Sequence, residues 1–498
     1  MRFSLFKYIK EMLETLIEAA EYITRSGNKE IIEQLLLDSN MILNRVENVL
    51  YENKESIMNP IIVDEIKNCN KQVSMILSCL YEESKYSKIL SEYLINLKEL
   101  PNSYKENILI KYHVVFFAEL GQKWDSMNSV YQAFMKREDC EVKVVLTPIF
   151  RSVQSNGKVE TDVIYEDYLT PMGIDFIPYE QYDIAKDLPD MAFISNPYES
   201  VTLPQFWPEN ISKYTKLVYI PYYTGLLINS DSIKAHCGLP IAKYAWRILA
   251  QSYEIKDMHR EYSPKRGENV IVTGLPKWDY LFDTKNFPLS LTSNWDSKLK
   301  NKKVFLWNSH YDVTSSTSTI FEYGKLIVDF FKNKKDIALI WRPHPMTDSI
   351  FKLYLSQYEG YWNELKDTVI NSENMILDTN KSYQMAFNSS DALLSDWSSI
   401  IPQYLLTRKP ILLLKKPNVT DRIIDDSEML ISLQLLEQTD QWSGIEKFIS
   451  NIKNGVDESK ENRDEIIKKD LSSADGRIGE KVCSLLLKEL QNELFGNM

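Results

Sequence analysis

The sequence predicts an α/β protein: two doubly wound, parallel-sheet domains facing across a cleft, with an α-helical bundle in front of them. Three observations lead there. Apolar residues recur at three- and four-residue spacing as far as about residue 105. Beyond Pro101, short apolar runs alternate with helix-like stretches, the signature of parallel strands joined by helical crossovers. That alternation lapses near 285–300 and then restarts. The implied division is 1–105 for the helical region, 106–290 and 291–475 for two Rossmann-like domains, and 476–498 for a closing helix.

The elements follow in order. "EMLETLIEAAEYI", "IIEQLLLDSNMILNRVENVL" and "VSMILSCLYEESKYSKILSEYLINL" carry the helical stripe, with breaks at "TRSGNKE" and "NPIIVD". An apolar stripe on each helix implies an antiparallel bundle, serving as scaffold or as a homodimer contact. The other reading is a foot on a membrane surface, since Arg2, Lys7 and Lys10 flank Phe3, Leu5, Phe6 and Ile9; the glutamates that follow argue against it. "HVVFFAEL", "KVVLTPI", "MAFIS", "LVYIPYY", "RILAQS" and "NVIVTGLP" read as buried strands of the first sheet. "NFPLSLTSNWDSKLKN" reads as a linker. "KVFLWNS", "DIALIWRP", "NMILDTN", "DALLSDW" and "PILLLKK" give the second sheet, with helices such as "IIPQYLLTR" between them.

Composition removes several function classes. The chain has 498 residues and a formal charge of −12 without a basic tail, so it lacks the basic face that nucleic-acid binding needs. Its five cysteines, Cys69, Cys79, Cys140, Cys237 and Cys483, are scattered, with no CxxC pair. That spacing argues against a disulfide framework or a zinc site and for a reducing cytoplasm. No apolar run reaches membrane-span length, and the N-terminal stretch has glutamates inside its apolar pattern, unlike a signal peptide. Neither a GxGxxG nor a GxxxxGK[ST] fingerprint occurs.

Ligands on doubly wound sheets bind beyond the carboxyl ends of the strands. Three such ends in the second half are polar. "LWNSHYD" leaves Asn308, Ser309, His310 and Asp312; "LIWRPHP" leaves Arg342 and His344; "LLSDWSS" leaves Ser395, Asp396, Ser398 and Ser399. With Ser399 as N-cap, Pro402 falls at the third helical position, where its missing N–H costs nothing. The helix start then offers free N–H groups and a positive dipole end to an anion. Arg342 adds a forked cation, and His344 donates or titrates near neutrality. Taken singly, each has a plain reading: capping serines, a salt-bridged turn, a loop histidine. Their convergence on one expected cleft is what argues for a site.

"WRPHP", then "SDWSS" and "TRKPILLL" about fifty residues on, resembles the CDP-glycerol glycerophosphotransferase family of teichoic-acid and capsule polymer enzymes. "VTGLPKWDYLF" resembles its G-x-P-[RK]-x-D segment, matching at Gly274, Pro276, Lys277 and Asp279. The likeness spans roughly 108–420, and "WDSMNSVYQAF" and "DMAFISNPYE" resemble a subgroup with an added N-terminal helical region. It implies a GT-B fold, a CDP-alditol donor such as CDP-glycerol, and a glycan, lipid-linked or polymer acceptor at the cytoplasmic face of the membrane. CMP leaves; no cofactor and no metal are expected. On this reading Arg342, Ser395, Asp396, Ser398 and Ser399 serve the diphosphate, and His344 the transferred phosphate or the leaving CMP. Asp396 alternatively holds His344 or the alditol hydroxyls. Asn308, His310, Gly274, Lys277, Tyr223 and Thr224 line the cleft. The family's W-H-G-T element corresponds to "IPYYTG", residues 220–225, which has no histidine. Asp125, after the first strand, is the candidate base, with Glu119 as the lesser one. The alternatives are a nucleotide-sugar transferase on the same scaffold, or a catalytically silent assembly subunit.

Overall fold

The computed structural model describes residues 1–498 except 156–157, 223–229, 282–292, 315–316, 381–382, 418–432, 472–473 and 496–498. Four helices come first: α1 (Phe3–Arg25), α2 (Lys29–Glu52), α3 (Ile61–Ser78) and α4 (Glu83–Asn107). Their periodicity does what the sequence says. Phe6, Ile9, Leu13, Leu16, Ala20 and Ile23 of α1 are all buried on one stripe. Asn28 caps α2, its side chain accepting from the Glu30 and Ile31 N–H groups at 3.1 and 3.3 Å. Each helix packs on its sequence neighbour and α1 closes on α4, giving a four-helix bundle. Helix α4 continues through Pro101, where the sequence pattern changes, to Asn107.

The bundle is fixed to the amino end of the first sheet. Its leading strand, β1, is Tyr112–Ala118. Phe3 packs 5.5 Å from Tyr112, centroid to centroid, and Arg2 donates to the Asp187 carbonyl at 2.7 Å. The bundle therefore lies at the pole opposite the carboxyl strand ends.

Besides β1, the first sheet contains β2 (Cys140–Leu146), β5 (Ile177–Pro178), β6 (Met191–Ile194), β7 (Lys216–Tyr219), β8 (Arg247–Ala250) and β9 (Val270–Val272). Their order is β5-β2-β1-β6-β7-β8-β9, all parallel. An antiparallel hairpin, β3 (Ile149–Ser155) with β4 (Lys158–Ile164), rises from the carboxyl end of β2. The second sheet contains β10 (Lys303–Ser309), β11 (Ile337–Pro343), β12 (Met375–Leu377), β13 (Ala392–Ser395), β14 (Ile411–Leu414) and β15 (Glu437–Thr439). Its order, β12-β11-β10-β13-β14-β15, reverses direction between β10 and β13, the switch point of a doubly wound sheet.

Both faces of each sheet are covered, which is why the strands read as unbroken apolar runs. Val114, Phe116 and Ala118 join the core shared with the bundle, while Val115 and Phe117 join the core on the other face. In the second sheet Trp307 and Trp341 stack at 4.9 Å, fully buried. Burying each such side chain stabilises the fold by about 1.5–3 kcal/mol or more.

One element differs from expectation, and the closing helix is where the sequence places it. Residues 293–299, read as linker, form a helix (Ser293–Leu299) with Trp295 and Leu299 buried. Lys298 ties it to the second sheet through the Ile370 and Met375 carbonyls at 3.1 and 2.9 Å. The final helix, Ile478–Phe495, packs back on the first domain. Asp279 receives its first N–H groups, from Ile478 at 3.0 Å and Gly479 at 2.7 Å. Arg247–Glu489 and Lys216–Glu493 pairs, both at 2.7 Å, fasten it farther along. The carboxylate of "GLPKWD" thus anchors a helix.

Candidate active site

Strand register builds the donor side. Asn308 of β10 is level with Arg342 of β11 and Ser395 of β13, so three adjacent strands end in polar residues in one row. Arg342 is mostly buried and its Nη1 donates to Asp378 Oδ2 at 2.6 Å. Asp378, at the end of β12, also accepts from the Asn380 N–H and Nδ2 at 3.1 and 2.8 Å. A carboxylate held this firmly aims the guanidinium fork. Asp378 is not among the residues expected from the sequence, although "NMILDTN" carries the same polar strand-end signal as the others.

His344 follows β11 and packs 4.8 Å from Tyr311, which lies 4.5 Å from His310. The Met346 N–H donates to His344 Nδ1 and the Asp312 N–H to His310 Nδ1, each at 3.2 Å. Both neutral rings therefore carry their proton on Nε2 and present it as a donor. Burial pushes the His344 pKa down to about 4, with His310 adding to the effect; burial also lowers that of His310, against Asp312. This corrects the expectation of a near-neutral His344. Without an anion alongside, it is a neutral donor at pH 7.

Several expected diphosphate contacts turn inward. Asp396 is fully buried and accepts from the His310 N–H at 2.9 Å, from the Thr319 N–H at 3.2 Å and from the Thr319 hydroxyl. It holds the His310 loop and starts the helix Ile320–Phe331, so it neither binds the His344 ring nor faces a ligand. Ser395 is equally buried and donates to the Asp396 carbonyl at 2.6 Å. Asn308 is 6% exposed and donates to the Arg342 carbonyl at 2.9 Å, tying strand ends together. Ser399 sits at the N-cap with helical backbone and no side-chain capping bond; Pro402 is at the third helical position, as expected. The expected free N–H groups are not there. Ser398 engages those of Ile400 (Oγ, 3.4 Å) and Ile401 (carbonyl, 3.2 Å), and Pro402 has none. What this corner offers is the exposed Ser399 and half-buried Ser398 hydroxyls.

The other wall comes from the first domain. Asp125 follows β1 and is half-buried. Burial raises its pKa to about 6, against the pull of Lys277. Lys277 donates to the Tyr222 carbonyl at 3.0 Å; burial lowers its pKa to about 8, and Asp125 holds it up. Gly274, at φ +78°, makes the turn that brings Lys277 there, so its part is backbone shape rather than contact. Glu119 is 7% exposed and spoken for, accepting from Asn196 Nδ2 and Lys123 Nζ, both at 3.0 Å. Tyr223 and Thr224 lie outside the described residues. Across the cleft, Tyr280 meets Tyr383 at 6.5 Å, and Gln384 Nε2 donates to the Tyr280 carbonyl. Among the described residues no three His, Cys, Asp or Glu side chains group to hold a metal ion.

Fold and site together define a GT-B-like protein with its polar residues at the facing carboxyl edges of two doubly wound sheets. Residues 241–488 match the model of the CDP-Glycerol:Poly(glycerophosphate) glycerophosphotransferase family, and the chain belongs to that family. No curated protein matches it. Solved structures of similar fold include a putative UDP-N-acetylglucosamine 2-epimerase from Listeria monocytogenes (TM-score 0.51, 14% identity, covering 77% of this chain and 97% of that one). The UDP-GlcNAc 2-epimerase from Neisseria meningitidis, bound to UDP-GlcNAc, is comparable (TM-score 0.50, 15% identity, 76% and 100%). The wall teichoic acid polymerase TagF also matches (TM-score 0.48, 13% identity, 86% and 98%).

Proposed function

We propose that the protein transfers glycerol phosphate, or a related alditol phosphate, from CDP-glycerol to a hydroxyl of a cell-surface polymer, glycan or lipid-linked acceptor, releasing CMP. Family membership supplies the donor class. The observation that carries the site is the placement of Arg342 and His344 at the carboxyl edge of one sheet, with Asp125 and Lys277 on the facing wall.

The acceptor oxygen attacks the phosphorus that bears glycerol. Its proton goes to Asp125, a new P–O bond forms, and the bond to the bridging oxygen breaks, leaving CMP with the electron pair. Arg342, with the Ser398 and Ser399 hydroxyls, offsets diphosphate charge. His344 Nε2–H donates to the leaving side. The diphosphate itself raises the His344 pKa, so bound donor also favours proton delivery to CMP. Catalysis of this kind is mostly positioning and charge stabilisation.

Asp125 takes the place of the absent histidine. A carboxylate whose pKa burial has raised to about 6 accepts protons in the range where an imidazole does. Asp125→Asn is expected to lower turnover with little change in donor affinity by calorimetry; an unchanged rate removes it as the base. The donor is tested by incubation with CDP-glycerol, CDP-ribitol, UDP-sugars and CMP-sugars and detection of released nucleotide. CMP from the CDP-alditols supports the reading; nucleotide from the sugars alone overturns it. The same proposal has the protein work at a membrane face and dimerise through α1–α4, read out by liposome flotation and sedimentation. Among the described residues no helix is long and apolar enough to cross a membrane.

A further inference from the structure

One side chain is placed between the two halves of this site. Tyr383 follows the β12 loop that supplies Asp378, the carboxylate aiming Arg342. Its ring packs on Phe387 at 4.7 Å and stands edge-on to Tyr280 of the first domain at 6.5 Å. The neighbouring Gln384 pins the Tyr280 backbone. The ionisable groups close enough to act electrostatically on the phenol are Asp125 and Tyr280 of the first domain and Arg342 of the second. Burial and Asp125 push the phenol pKa up while Arg342 pulls it down, so the hydroxyl stays protonated at any working pH.

We propose that Tyr383 is a catalytic residue, its hydroxyl donating a hydrogen bond to a non-bridging oxygen of the phosphoryl group in transfer. The inference rests on the glycerophosphate-transfer reading above. That phosphoryl group must lie between the base that takes the acceptor proton and the cation that holds the diphosphate. Tyr383 stands where the two walls meet, in ring contact with Tyr280 of the first domain and five residues after the Asp378 that aims Arg342, within electrostatic reach of both groups. As the acceptor oxygen bonds to phosphorus and the bond to CMP lengthens, charge on the equatorial oxygens is redistributed, and a fixed neutral donor there stabilises it without adding a full charge to the site. Both domains then contribute to transfer: the second supplies the phenol and the first supplies Asp125.

The test is Tyr383→Phe, which keeps the ring contacts with Tyr280 and Phe387. The expected result is a kcat for CMP release from CDP-glycerol lower by roughly a hundredfold, the scale of losing one preorganised donor. KM and the calorimetric Kd for CDP-glycerol should stay within about threefold, and Tm should not move. Tyr383→His, which restores a ring donor, should recover part of the rate. A kcat within about threefold of wild type overturns the proposal. So does a lost rate that comes with equally weakened donor binding or a fallen Tm, because that marks a packing role. Wild-type protein that neither binds CDP-glycerol nor releases CMP from it removes the donor reading itself, and this proposal with it. A fully active wild type beside a fully active Tyr383→Phe removes this proposal alone.

Discussion

Replacing Lys277 with methionine should move the acid limb of the turnover profile to higher pH. The proposed base, Asp125, must be ionised to accept a proton, so rate is lost as pH falls through its pKa, about 6 in the intact protein. Burial raises that pKa and the Lys277 charge opposes the rise. A nearby opposite charge is worth roughly one to three units, and the lower end suits two groups that form no direct ion pair. Methionine keeps the length and apolar stem but removes the charge, which puts the limb near pH 7. At pH 6 the ionised fraction then drops from about one half to about one tenth, so turnover falls about fivefold. At pH 7 the loss is about twofold, and by pH 9 the two proteins should be alike in this respect. The assay is initial-rate CMP release at saturating CDP-glycerol from pH 5 to 9, with Lys277→Arg as the charge-keeping control. An acid limb that stays at pH 6 in Lys277→Met, or a deficit that persists undiminished at pH 9, would refute the reasoning.

The remaining outcomes are simpler. Arg342→Ala and His344→Ala should each lower turnover at least about a hundredfold; near-normal CMP release by both would end the site assignment. Asp279→Ala removes the acceptor for two N–H groups at the start of the final helix, and a Cβ at Gly479 would lie 2.4 Å from the Ser129 backbone. Each change should cost about 1–3 kcal/mol, read as a lower Tm, with Gly479→Ala at the high end; unchanged melting would show that the helix is not held there. His236 and His259 are buried, and burial lowers both pKa values to about 4 from 6.5. The unfolded chain takes up their protons first, so their contribution is complete above about pH 6.5 and lost as pH falls toward 4, up to about 3 kcal/mol per site. Asp125, Asp190 and Asp396, raised to about 6, gain stability over the same fall, so the effect is read as a difference. His259→Gln should lose less Tm than wild type between pH 6.5 and 4.5, and parallel curves would contradict this.

Local pattern settled the architecture because parallel strands covered on both faces must be apolar throughout. "KVFLWNS" and "DIALIWRP" therefore announced β10 and β11 with their polar ends. The strands that escaped carry little such signal. Β5 has two residues and β15 is "EQT", polar because it lies at a sheet edge. The β3–β4 hairpin does carry a turn signal in the sequence, Asn156-Gly157.

Which strand ends are polar was thus written in the sequence, and so were Arg342 and His344 as candidates. Where each polar side chain points was not. Asp396 and Arg342 look equally suited to an anion in one dimension, yet Asp396 turns inward to start a helix 77 residues upstream, while Arg342 is aimed by Asp378, 36 residues on. The pairing of Asp125 with Lys277, and the approach of Tyr383 to both walls, arise only when two separately folded sheets face each other. Hydrogen bonds and charges act over a few ångströms regardless of chain separation, so these choices belong to the tertiary structure alone.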